Sequence, residues 1–326
     1  MIKELGAVVL RSGGKCRFIR VLGPDVTWSD RIKPFLAHKG FPWRWQIAMT
    51  LEHDLSPLEA YYYLALVGDE VAGSFCTFEY GGAGILGHVF TSPAHRRKGI
   101  CSSIMDLQMA DYRSRGGKAL FLHTGYDSPA YHIYKSRGFQ SVYNESGFME
   151  YYADGIDAFE ELYSSTDETK IRKNDWRDWP GLTGLMSQRA GSHLRMVAMN
   201  ILGRQTMEGP YLIFKKRQEE DRSSSMSIIE NQNRLVCGYA SKIPDKRFPG
   251  TWIFDLFVHP SHIERAADLA QSLSADPENG KVQSYVEIAN EVKIQALEAV
   301  GFTREAKLLG QMVLDGSRVD LLVYSR

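Results

Sequence analysis

Two landmarks recur in the 326-residue chain at nearly the same offset. Pro93 and Pro260, each stopping a β-rich run, lie 167 residues apart, and Gly138-Phe139 and Gly301-Phe302 lie 163 apart. A nearly constant offset is what a tandem duplication leaves, so the chain is constrained to two copies of one unit. The length agrees, because 326 residues exceed what one hydrophobic core ordinarily serves. The starts agree too: Phe18-Ile19-Arg20 with Asp25 and Trp28 is matched by Ile171-Arg172-Lys173 with Asp175 and Trp176. The expected division is 1–152, a linker at 153–168 rich in Ser, Thr and acidic residues, and 169–326.

Within the first copy, residues 61–67 and 71–80 are β-rich runs joined by Gly68-Asp69-Glu70, a hairpin pattern. The turn Gly81-Gly82-Ala83-Gly84 feeds a third run, 85–91, which Pro93 stops. From Gly99 onward Ile100, Ile104, Leu107 and Ala110 recur at helical spacing until Gly116-Gly117. A strand at 119–124, a helix at 129–137 and a β-rich stretch to Tyr152 complete the order. The second copy repeats it with strands near 226–230, 234–242 and 251–258, then a helix beyond Pro260.

With 44% hydrophobic and 24% charged residues the chain can fill packed cores, which excludes intrinsic disorder. Lys plus Arg and Asp plus Glu both number 39, so no global field favours nucleic acid or an anionic membrane. No apolar run approaches the roughly 18 residues of a membrane span, and the N-terminal run is too short for a signal segment. The cysteines Cys16, Cys76, Cys101 and Cys237 form no CxxC pair, which argues against a zinc cluster or a secreted disulfide framework. The expected location is the cytoplasm. The composition says nothing of oligomeric state.

The chemistry-bearing stretch is Pro93-Ala94-His95-Arg96-Arg97-Lys98-Gly99-Ile100-Cys101-Ser102-Ser103, set between a strand and a helix. The N–H groups of a turn entering a helix point outward, the helix dipole adds partial positive charge, and Gly99 lets an anion approach the main chain. Arg96, Arg97 and Lys98 add charge, and Ser102 and Ser103 add hydroxyl donors. A solvated basic turn that merely caps a helix would read the same way.

Residues Arg96 to Cys101 resemble the Q/R-x-x-G-x-G/A signature of the GNAT acetyltransferase superfamily. Asp127-Ser128-Pro129-Ala130-Tyr131-His132-Ile133-Tyr134-Lys135-Ser136-Arg137-Gly138-Phe139 resembles its N-x-x-A-x-x-x-Y-x-x-x-G-F segment, in the same order. Cys101 departs from the usual Gly or Ala, and Asp127 from the usual Asn. The resemblance implies an α+β fold of two tandem GNAT-like domains, each a mixed, mainly antiparallel sheet flanked by helices. It further implies an acetyl-CoA-dependent N-acyltransferase passing an acetyl group directly to an amine of a small molecule or peptide, with no metal. The cofactor would place its phosphates on Arg96, Arg97, Lys98, Gly99, Ile100, Cys101 and Ser102. Its pantetheine arm would run along Val89, Phe90 and Thr91, flanked by Asp127, Ala130 and Tyr134.

Strand alternation puts Ile85, Gly87, Val89 and Thr91 on one face and Leu86, His88 and Phe90 on the other. The positions where relatives carry a Glu or His base fall on Ile85 and Gly87, so no strand base is expected. His88 has the wrong parity for that role unless a bulge flips it, and His123, at the end of the next strand, is its rival. Tyr134 stands where the family's general-acid tyrosine stands, able to protonate a departing thiolate. Without a strand base, the alternatives are a GNAT-like acyl-CoA decarboxylase, an enzyme of longer acyl-CoA, and a CoA-binding protein without catalysis.

In the second copy Ile263, Ala266 and Asp268 replace the loop's arginine and glycines, and Leu297 fills the tyrosine slot. An aspartate there repels phosphate, so CoA is expected in the first copy alone. Phe41, Trp43, Trp45, His53, Tyr61, Tyr62 and Tyr63 either grip the acceptor or fill the core.

Overall fold

An antiparallel meander opens the first unit. In chain order it contains β1 (Ile2–Val9), β2 (Lys15–Gly23), α1 (Val26–Phe35), α2 (Trp43–Glu52), β3 (Glu59–Val67), β4 (Glu70–Tyr80) and β5 (Ala83–Thr91). Then come α3 (Ile100–Ser114), β6 (Ala119–His123), α4 (Pro129–Lys135), β7 (Gln140–Ser141) and β8 (Phe148–Tyr152). The sheet order is β1-β2-β3-β4-β5-β6-β8-β7, antiparallel throughout except for the β5–β6 pair. The computed structural model describes residues 1–10, 13–164, 168–220, 223–273, 280–314 and 316–326. The chain divides into two compact units, Met1–Phe159 with Trp179–Thr183, and Glu160–Asp178 with Gly184–Arg326.

Strand alternation sends neighbouring tyrosines of β3 to opposite faces. Tyr61 and Tyr63 join Phe18, Ala65 and Leu86 in a buried cluster with Ile104, Met105, Met109 and Tyr112 of α3. Tyr62 points the other way, where its hydroxyl meets Thr50 Oγ1 of α2 at 2.7 Å. Burying side chains of this size contributes roughly 1.5–3 kcal/mol each. The approach of α3 depends on Gly73 of β4: a Cβ there would lie 2.8 Å from Ile100 Cγ2 and 2.9 Å from Ile104 Cδ1. On the same helix, Asp111 accepts from Lys3 Nζ at 2.9 Å, Arg20 Nη1 at 2.7 Å and the Tyr63 hydroxyl at 2.9 Å. It also pairs with Arg115, which forks onto Glu79 at 2.6 and 2.7 Å. Burial alone would raise the Asp111 carboxyl, but hydrogen bonds from Arg20 and Lys3 outweigh it and hold the group below its ordinary range.

β1 is a strand that the residue pattern does not announce. Seven of its eight residues are exposed, so hydrogen bonding to β2 places it rather than a buried face. The stretch read as linker contains a helix, α5 (Ile156–Glu161), and its residues 165–167 lie outside the described residues.

The second unit follows with β9 (Lys170–Lys173), α6 (Asp178–Ser187), β10 (Leu194–Met196), β11 (Ile201–Leu202), α7 (Glu208–Glu220) and β12 (Ser225–Glu230). It closes with β13 (Val236–Pro244), β14 (Thr251–Val258), α8 (Ala266–Gln271), β15 (Lys281–Glu287), α9 (Glu291–Ala299), β16 (Thr303–Leu314) and β17 (Ser317–Ser325). Its main sheet runs β16-β17-β15-β14-β13-β12-β9, with β14 and β15 again the parallel pair. Each unit is therefore a mixed, mainly antiparallel sheet with helices.

Candidate active site

The parallel pair of the first unit is joined at Ala83↔Ala119, Gly84↔Leu120 and Ile85↔Phe121, and no further. Beyond Ile85 and Phe121 the strands run on without pairing, so the edge of β5 facing β6 is open from Gly87 to Thr91. Both strands end at the same edge of the sheet, where crevices beside parallel strands commonly take ligands. The other edge of β5 stays paired to β4, with Gly87 opposite Cys76 and Phe90 opposite Ser74. Between those pairs β5 carries one residue more than β4. This is a bulge, and His88 sits in it with φ at +50°.

The bulge overturns strict alternation. Leu86 and Val89 now share the face packed against α3, while His88 and Phe90 face α1 and α2. Phe90 lies 5.1 Å from Phe35 and 4.0 Å from His38, ring centre to ring centre. His88 is buried between the edges of Trp43 and Phe78, each 5.8 Å away, with Nε2 2.6 Å from Gln46 Oε1. Burial, with smaller contributions from Lys39 and His38, pushes its pKa down to about 3. At neutral pH it is an uncharged ring donating to Gln46, and too weak a base to hold a proton taken from an amine.

After β5, a 3-10 turn (Pro93–His95) leads into the basic loop, and Arg96 Nε returns to Thr91 O at 3.2 Å. Arg97 and Gly99 are both left-handed, at φ +60° and +90°. Gly99 caps α3, and a Cβ there would meet nothing within 4 Å. The helical ladder starts with Ser103 N–H on Gly99 O, so the N–H groups of Ile100, Cys101 and Ser102 precede it. Arg96, Arg97 and Gly99 are exposed and Lys98 is half-buried, whereas the Ile100 side chain turns inward and offers only its amide. Burial raises the half-buried Cys101 thiol above its ordinary pKa.

Across the gap, β6 ends at His123, which stacks on Phe148 at 4.4 Å and whose pKa burial lowers. Asp127 is exposed at φ +56° and pairs with His132 Nε2 at 2.9 Å, so its carboxylate is already engaged. Ser128 caps α4 by accepting the Tyr131 N–H at 3.2 Å. Ala130 lies half-buried against the α3-side core, and Tyr134 is inside it, its ring 5.9 Å from Phe139. Among the aromatic candidates, Tyr61, Tyr62 and Tyr63 are core and Trp43 flanks His88. Phe41 and Trp45 line a cavity of about 840 Å³ between α1 and α2 that none of the predicted catalytic residues lines. Two contributors escape the sequence reading. Gln46 and Gly73 carry no motif, although Gln46 and Thr50, polar at i and i+4 within an apolar helix, hint at a buried polar contact. Among the described residues no three His, Cys, Asp or Glu side chains gather as a metal centre.

Residues 27–139 match the Acetyltransferase (GNAT) family. The first unit carries a GNAT domain. The match spans β5, the basic loop, α3 and α4, the elements that frame the gap. An N-acetyltransferase from Staphylococcus aureus Mu50 is similar over 49% of this chain and 98% of its own, at 16% identity and TM-score 0.41. YncA from Salmonella typhimurium, solved with its cofactor acetyl-CoA, is 20% identical over 48% of this chain and 92% of its own, at TM-score 0.39. The spermidine N-acetyltransferase SpeG from Vibrio cholerae is 16% identical over 49% and 94%, at TM-score 0.37. No curated protein sequence matches the chain.

Proposed function

We propose that the GNAT domain transfers an acetyl group from acetyl-CoA to the amine of a small molecule or peptide, directly and without a covalent enzyme intermediate. The observation that carries this reading is the gap between β5 and β6, which opens beside the His88 bulge and above the glycine-led start of α3. Its parts fit the cofactor: a free strand edge for the pantetheine amides, and a positively charged helix entrance without a Cβ for the pyrophosphate. Val89, Phe90 and Thr91 would hold the first, and the amides of residues 97–102 the second, with Arg96, Arg97 and Lys98 adding charge.

Acetyl-CoA supplies an activated acyl group on a thiol that leaves as thiolate. Tyr134 is the group assigned to give that sulfur a proton from its phenol. His88 is assigned a positioning part, holding β5 against α2. His123, whose lowered pKa keeps it neutral, is left to accept the amine proton or to pass it to solvent. Purified full-length protein incubated with acetyl-CoA and a panel of amines should release free thiol only when an acceptor is present. Carbon dioxide release without an acceptor would indicate a decarboxylase, and binding with neither product a CoA-binding protein. Titration calorimetry should find one CoA site per chain, since the second copy's Glu264 and Asp268 oppose phosphate.

A further inference from the structure

The second unit holds a polar arrangement that acetyl transfer does not use. Its parallel strands β14 and β15 pair only from Thr251↔Lys281 to Ile253↔Gln283 and then part. Beside the far half of β14 lies a cavity of about 200 Å³, lined by Phe257, Val258, Asn290 and Lys293 among others. Lys293, in the first turn of α9, is 2% exposed, and its Nζ has no hydrogen-bond partner among the described residues. Asp255 of β14 is fully buried. Its Oδ2 accepts the Ala198 N–H at 2.9 Å, and its Oδ1, without a hydrogen-bond partner among the described residues, stands 3.9 Å from Lys293 Nζ.

Lys293 Nζ and Asp255 Oδ1, buried side by side and each without a hydrogen-bond partner among the described residues, suit a small polar ligand that engages both. Burial drives the Lys293 amine and the Asp255 carboxyl alike towards their neutral forms, against their attraction for each other and the pull of Glu287 on Lys293. A neutral amine beside a carboxylic acid is the pair that addition to a carbonyl requires. Glu264, in the turn before α8, and Asp268, in the first turn of α8, disfavour a phosphate-bearing compound.

We propose that Lys293 captures a small aldehyde or ketone lacking phosphate. The amine lone pair forms the new C–N bond while the carbonyl oxygen takes the Asp255 proton, and the resulting carboxylate recovers a proton from nitrogen. Asp255 gives the proton it took from nitrogen to the hydroxyl, which leaves as water, and the protonated imine on Lys293 stands beside the Asp255 carboxylate. No oxidant or reductant enters, and one water leaves for each imine formed.

The test uses full-length protein at pH 7 with propionaldehyde and cyanoborohydride, which reduces an imine to a stable secondary amine, followed by mass-spectrometric mapping of the modified lysines. Lys293 should take up label faster than any exposed lysine, because a lowered pKa raises the neutral, nucleophilic fraction of the amine. Label confined to exposed lysines overturns the proposal. Asp255→Asn keeps the side-chain shape and removes the acid, so labelling of Lys293 should slow by about 10²-fold. An unchanged rate in that variant, with circular dichroism as in the wild type, overturns the part given to Asp255.

Discussion

Nε2 of His88 donates to Oε1 of Gln46 across 2.6 Å, tying the bulge of β5 to α2 through an imidazole that is neutral in the folded protein. The unfolded chain binds a proton at His88 below about pH 6.5, and the folded chain does so only near pH 3. Stability contributed by this site is therefore present above pH 6.5 and falls with acidification, by up to about 1.4 kcal/mol per pH unit. Between pH 7 and pH 5 the unfolding free energy of the wild type, measured in urea, should drop about 2 kcal/mol more than that of His88→Asn. Equal drops would mean that His88 is not buried as a neutral ring.

Gly99 holds a conformation that costs other residues about 1 kcal/mol, with open space where a side chain would go. Gly99→Ala should fold, slightly less stable. Gly99→Asp should fold too, yet lose acetyl-CoA binding in calorimetry, because its carboxylate would face the pyrophosphate. Wild-type affinity in Gly99→Asp would move the phosphate seat elsewhere.

Tyr134→Phe keeps the ring beside Phe139 and removes only the hydroxyl. The kcat should fall by at least about 10²-fold with little change in KM for acetyl-CoA, and the fall should shrink for a donor with a better leaving thiol. Wild-type turnover would assign Tyr134 to packing.

Gly73→Ala puts a methyl group within 3 Å of Ile100 and Ile104 at the start of α3. Overpacking of this kind should cost about 1–3 kcal/mol in chemical denaturation. Because the same turn carries the amides of the basic loop, acetyl-CoA affinity should weaken as well. Ile104→Val, which removes the methyl that Cδ1 represents, should recover part of both losses.

Much of this architecture is written locally. Glycines and prolines punctuate β3, β4, β5, α3 and α4, so their order is legible, as is the basic loop with Gly99. The bulge is not: residues 85–91 are apolar in both phases, and one extra residue leaves no mark in such a run. β1 is silent because a strand exposed on both faces has no alternation to read. Asp111 and Arg115 stand at helical spacing, but Lys3, Arg20, Tyr63 and Glu79 reach them from distant sequence, and only the folded sheet gathers them. The state of His88 follows from burial, which no motif encodes.

In mechanical terms, the eight-stranded sheet is two stiff plates held at one corner. β2 and β3 are joined along eight residue pairs, whereas the plates β1–β5 and β6–β8 share three, Ala83↔Ala119, Gly84↔Leu120 and Ile85↔Phe121. Strain applied to the sheet concentrates at that corner, so the gap can widen without rupture of a backbone pair. A long, thin guest could enter by bending the weakest joint and, once seated, bridge the plates with its own amides and stiffen the whole.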